Sequence, residues 1–70
     1  MKKNFIVEFN PIAGEKDNWY RFGKRVKAES EDEAIETAKY FAIKQAISFG
    51  ISHEKAAEEN NNYAWRAKEV

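Results

Sequence analysis

SEDEAIETAKYFAIKQAISFG, Ser30 to Gly50, decides the fold, because its start signal, apolar period and stop signal all agree on a helix. Ser30 can accept a hydrogen bond from the Glu33 N–H while the Glu33 carboxylate reaches back to the Ser30 N–H, a capping box. Glu31, Asp32 and Glu33 then place negative charge on the positive end of the helix dipole. At the other end Gly50 stands where a left-handed residue is needed, and Ile51 can fold back onto Ala46 in a Schellman cap. At 100° per residue, Ala34, Ile35, Ala38, Phe41, Ala42, Ala46 and Phe49 share one face, opposite Glu33, Thr37, Lys44 and Ser48. That stripe is mostly alanine, so the bulk that fills its core must come from whatever lies opposite. The Ala row therefore reads as a seat for a sheet rich in Phe, Tyr and Trp. On that reading Ala42→Leu overpacks by about 1–3 kcal/mol, whereas Lys44→Leu is nearly neutral.

Working outward, Asn4 to Asn10 alternates Phe5, Val7 and Phe9 against Ile6, Glu8 and Asn10, a strand with one buried face. Pro11, Gly14 and the polar run Glu15 to Asn18 form a loop rather than a tight turn. Trp19 to Ala28 reads as the second strand, with Tyr20, Phe22, Val26 and Ala28 sharing a side with Lys24. An inward lysine beside Gly23 signals either a bulge or a protected edge, and the edge is the better reading. After the helix, Ser52 can cap one or two further turns that the asparagine run to Asn62 ends. Tyr63 to Val70 is the third strand, with Tyr63, Trp65 and Ala67 alternating against Ala64, Arg66 and Lys68.

The order is strand, strand, helix, strand, an α+β chain of ββαβ topology expected as one domain over residues 1–70. A right-handed crossover leaves strand one in the middle of a three-stranded antiparallel sheet of order 2-1-3, with the long helix on one face and a short extra helix before the last strand. The alternative sets strand three beside strand two in parallel.

Twelve basic and twelve acidic residues give no net charge, which removes the simple electrostatic argument for nucleic acid or an anionic membrane. Without cysteine there is no disulfide framework and no thiolate metal site, and a cytoplasmic setting is expected. The apolar run after Met1-Lys2-Lys3 stops at Glu8, too short for a signal peptide or a membrane span, so a soluble protein is expected. His53 is the one histidine, and its place near a helix start makes it a solvated residue rather than a proton shuttle. The acidic run Glu29, Glu31, Asp32, Glu33, Glu36 lacks the alternation and central glycine of a calcium loop. Gly14 and Gly23 are isolated and form no phosphate-binding loop. No catalytic, cofactor or metal residues are therefore expected, and the chain reads as non-enzymatic.

Two surfaces remain as candidate contacts. The sheet face turned from the helix presents Trp19, Arg21, Arg25, Lys27, Arg66 and Lys68 beside Ile6 and Glu8. Aromatic and arginine side chains are enriched at binding hot spots, and the same pair stacks bases and neutralises phosphates. A solvated face balanced by Glu8 is the bland reading. Near-neutral charge favours a protein partner, with a nucleic-acid-binding module as the alternative. Because residues 19–28 hold four cations and the next eight residues hold five acids, the domain is expected to be dipolar, and Arg21→Glu with Arg25→Glu should abolish partner capture. The second surface is Tyr40, Ile43 and Ile47, neighbours on the helix outside the Ala row. Cover by the Ile51 to Asn62 segment is the favoured reading, and exposure as a patch for a partner or for homodimerisation is the other.

The run Trp19 to Gly50, a strand leading through Val26-Lys27-Ala28-Glu29-Ser30 into Glu33-Ala34-Ile35 and an Ala-rich helix, resembles very small bacterial and prophage proteins, among them anti-CRISPR and other host-defence inhibitors. The resemblance covers a little under half of the chain and carries over no functional residue. It implies a mode of action, binding and occluding a larger protein or nucleoprotein assembly, so that the expected function is a phage or mobile-element inhibitor or regulator acting by protein contacts.

Overall fold

A computed structural model describes residues 1–12, 14–22 and 24–70. The long helix, α1 (Glu31–Ser48), begins as its local signals require: Ser30 is extended and its Oγ accepts from the Glu33 N–H at 3.2 Å. Of the two reciprocal capping-box bonds expected, this is the one that forms among the described residues. The stop is a full Schellman motif. Gly50 adopts φ +90, its N–H donates to the Ile47 carbonyl at 3.0 Å, and the Ile51 N–H reaches the Ala46 carbonyl at 3.1 Å.

The sheet is built on β1 (Lys3–Asn10), with every other strand antiparallel to it. One edge of β1 takes β2 (Tyr20–Arg21) and then β3 (Val26–Ala28), and the other edge takes β4 (Ala64–Glu69). Strand one is therefore the centre, and the parallel alternative does not occur. The expected second strand, Trp19 to Ala28, divides in two. Glu8 pairs with Arg21 and Phe5 with Val26, so β1 advances by two intervening residues where the outer strand advances by four, positions 22 to 25. Two surplus residues cannot stay in a continuous ladder, and pairing beyond Arg21 shrinks to the Phe22 N–H bond to the Val7 carbonyl at 2.7 Å. Gly23, the position that suggests a bulge, lies outside the described residues.

A second helix, α2 (His53–Asn62), is capped by Ser52, whose Oγ accepts from the Lys55 N–H at 3.2 Å. As expected, Ser52 caps the segment and it ends with the asparagine run, at Asn62, but at ten residues it is longer than one or two turns, and Asn60 within it is 6% exposed. Its Nδ2 donates to the Lys39 carbonyl of α1 at 3.1 Å, and its own carbonyl accepts the Trp65 indole N–H at 2.9 Å. One asparagine thus ties α1, α2 and β4 together.

The core gathers Phe5, Val7, Val26 and Ala28 from the sheet against Ala34 and Ala38 of α1, with Phe22, Ile35, Trp65 and Ala67 packed around it. Here the Ala row does what its size permits, since Ala34 and Ala38 are completely buried. Further along α1 the expectation fails. Phe41 and Phe49, assigned to the buried face, are 44% and 77% exposed, and Ala42 and Ala46 are half-buried. The reason lies opposite them: β2 is two residues long, so the sheet is too narrow there to carry the last turns of α1.

Candidate functional site

The outer sheet face closes around Glu8. This carboxylate stands between its cross-strand neighbours Arg21 and Arg66 and is only 9% exposed. Arg66 Nε donates to Glu8 Oε1 at 3.0 Å, and Lys68 Nζ stands 3.8 Å from the same oxygen. The Arg66 hydrogen bond holds the Glu8 carboxyl below the usual glutamate range, against the opposing effect of burial and with help from the charges of Arg66, Lys68 and Arg21. Above the pair, the Arg66 guanidinium carbon lies 4.0 Å from the centre of the Trp19 ring. Trp19, Arg66 and Glu8 form a stack in which the guanidinium covers one face of the indole.

Of the six candidates on this face, the fold brings Trp19, Arg21, Arg66 and Lys68 together. Lys27, opposite Asn4, lies four residues of β1 away from Glu8, roughly 13 Å, and Arg25 borders the same end. The face is therefore two separate groups of cations, the larger of them shared with a carboxylate.

On the far side of α1, α2 folds back so that Ala57, Asn60 and Asn61 face Glu36, Lys39, Tyr40 and Ile43 across a shallow cleft. Ile43 is half-covered, whereas Tyr40 and Ile47 stay exposed. Lys44 Nζ sits 5.3 Å from the Tyr40 ring centre, and Phe41 meets Tyr40 edge-on at 6.0 Å. Cover by the chain's own segment is therefore partial.

A further apolar feature is one that sequence reasoning misses. Where α1 outruns the sheet, a trough of about 450 Å³ opens between its last turns and β2, floored by Phe9, Phe22, Ala42 and Ala46 and ended by Phe49 and Ile51. An adjoining groove shares Phe22 and Gln45 with it and is lined further by Phe41 of α1 and by Lys24 from the segment after β2. The trough's volume matches small-molecule pockets, but it is open along its length, which suits a surface rather than an enclosed ligand. A signal for it exists in the sequence: the stretch Arg21 to Arg25 carries three cations and a glycine where a strand able to support α1 would be apolar.

Among the described residues no group of three or more His, Asp or Glu side chains is placed to hold a metal ion. Among the same residues no helix is long and apolar enough to cross a membrane. Comparison with known protein families, curated proteins and solved structures finds no match to this chain.

Proposed function

We propose that the chain is a non-enzymatic binding protein, a regulator or inhibitor of a larger protein, and that its main contact surface is the exposed apolar side of α1. One observation carries this reading. The fold leaves Phe41 and Phe49 exposed on the trough side of the end of α1, with Tyr20 against Phe9 of the trough floor, while Tyr40 and Ile47 are exposed on the far side of the same helix. Exposed apolar groups concentrated in this way mark interaction sites on soluble proteins. The outer sheet face is the weaker candidate, because Arg66 already covers one face of the Trp19 ring and two of its cations share Glu8. A phage or mobile-element role rests on the resemblance of Trp19 to Gly50 to small prophage proteins.

The test is capture of partners from host lysate by three forms side by side: wild type, Phe41→Ser with Phe49→Ser, and Lys27→Glu with Lys68→Glu, two cations of the outer sheet face that do not line the trough. Loss of capture by the phenylalanine pair alone supports the reading. Loss by the lysine pair alone transfers the function to the sheet face, and salt-sensitive binding of a random oligonucleotide would make it a nucleic-acid module.

A further inference from the structure

We infer that the trough between α1 and β2 seats an acidic amphipathic helix of a partner protein; this rests on the protein-binding reading above and specifies the partner's chemistry. The shape gives the first argument. On α1 the trough is lined by Phe41, Ala42, Gln45, Ala46 and Phe49, so two small residues lie between two aromatic ends, with Phe9 and Phe22 across from them. Phe41 and Phe49 are eight residues apart, roughly 12 Å along the helix axis, the rise of two turns. A bulky apolar side chain entering over Ala42 and Ala46 would be flanked by aromatic rings. Partners one turn away on the same face, at i+3, i+4 and i+7, would meet Phe41 or Phe49.

Charge selects among such helices. Lys24 and Arg21 line the trough directly. The segments that form its walls are free of carboxylates by sequence, since positions 18–28 and 37–53 contain no Asp or Glu, and of their cations Arg21 and Lys24 border the trough. The ion pairs of the described residues are Lys3–Glu69, Arg66–Glu8 and Lys68–Glu8, which leaves Lys24 and Arg21 without a bonded carboxylate. An apolar floor with a cationic rim is complementary to leucine or phenylalanine knobs flanked by glutamates, and it repels a basic helix of the same apolar pattern. The acids at the start of α1 and on α2 lie outside both walls, and Glu8, the cross-strand neighbour of Arg21, is bonded to Arg66 on the outer sheet face.

The test uses three labelled peptides of equal length and the intact protein, read by fluorescence anisotropy. One peptide is helical with Leu and Phe at i, i+3, i+4 and i+7 and glutamates elsewhere, one replaces every glutamate by lysine, and one is a scramble of the acidic sequence. The acidic amphipathic peptide is expected to bind at least about tenfold tighter than the other two and to weaken with added salt. Phe49→Ser and Lys24→Glu should each weaken it about fivefold or more, while Lys2→Glu at the far end of the sheet leaves it unchanged. All three side chains are solvent-exposed, and unchanged melting curves confirm that the variants fold. Equal binding of acidic and basic helices overturns the charge selection but leaves the protein-binding reading standing. Binding that survives Phe49→Ser and Lys24→Glu overturns the site. A concentration-dependent dimer mass abolished by Phe49→Ser makes a second copy the occupant and overturns the proposal. Failure of every peptide to bind, together with undiminished partner capture by the phenylalanine variant, overturns both readings.

Discussion

Asn60 Nδ2 donates to the Lys39 carbonyl across 21 residues of sequence, at 3.1 Å, in a site almost closed to water. The donor comes from the third turn of α2 and the acceptor from mid-α1, so the bond fixes how one helix lies along the other. An unpaired buried amide or carbonyl costs more than the bond itself contributes. Asn60→Ala should therefore lower stability by about 1–3 kcal/mol, whereas Asn61→Ala and Asn62→Ala, both exposed, should stay within about 0.5 kcal/mol. Urea unfolding of the three variants checks this, and equal midpoints would remove Asn60 from its role.

The two ends of α1 can be tested separately. Ser30→Ala removes the acceptor for the Glu33 N–H and should cost about 0.5–2 kcal/mol. At Gly50 a new Cβ meets nothing within 4 Å, so Gly50→Ala isolates the backbone cost of φ +90, about 1–2 kcal/mol. Thermal melts of the single and double variants should show nearly additive losses, because the sites are at opposite ends of the helix.

Overpacking should locate the place where α1 leaves the sheet. Ala38→Leu forces a larger side chain into a site with no exposure and is expected to cost about 1–3 kcal/mol. Ala42→Leu projects into the trough and should be close to neutral, the reverse of what an unbroken buried stripe requires. Comparable losses at both positions would mean that the trough closes in solution.

Glu8 makes the stability of the fold depend on pH, with a sign that follows from its lowered pKa. The folded carboxyl gives up its negative charge less readily than the unfolded one, so the stabilisation is fully present above the ordinary glutamate pKa of about 4.3 and is lost as pH falls through the lower folded value. Wild type should melt above Glu8→Gln at pH 7, and the two curves should converge in acid. A gap that persists unchanged to pH 2 would assign the difference to packing instead.

The parts of this fold that sequence reveals are those settled by near neighbours. Ser30 and Gly50 need only residues three or four positions away to act, and α1 begins and ends where they stand. The central place of β1 was legible because no other segment alternates so strongly with so apolar a face. What was not legible depends on partners far along the chain. The exposure of Phe41 and Phe49 is decided by the shortness of β2, which comes from a register offset that periodicity does not encode. Asn60 looks like a helix breaker until Lys39 and Trp65 are placed beside it. Likewise Arg66 and Trp19, both visible as candidate contacts, spend part of their capacity on each other.

In the sheet, β2, β3 and β4 each pair with β1, and among the described residues none pairs with another. Its ladder is a hub with spokes, without a second route by which two outer strands could remain joined if the hub came loose. Opening of β1 must release the whole sheet at once, so its amides should report the global unfolding free energy in hydrogen exchange, while those of β2 exchange through local fraying. Cooperativity in this molecule is thus concentrated in one eight-residue segment, which also supplies Phe9 to the trough beside β2.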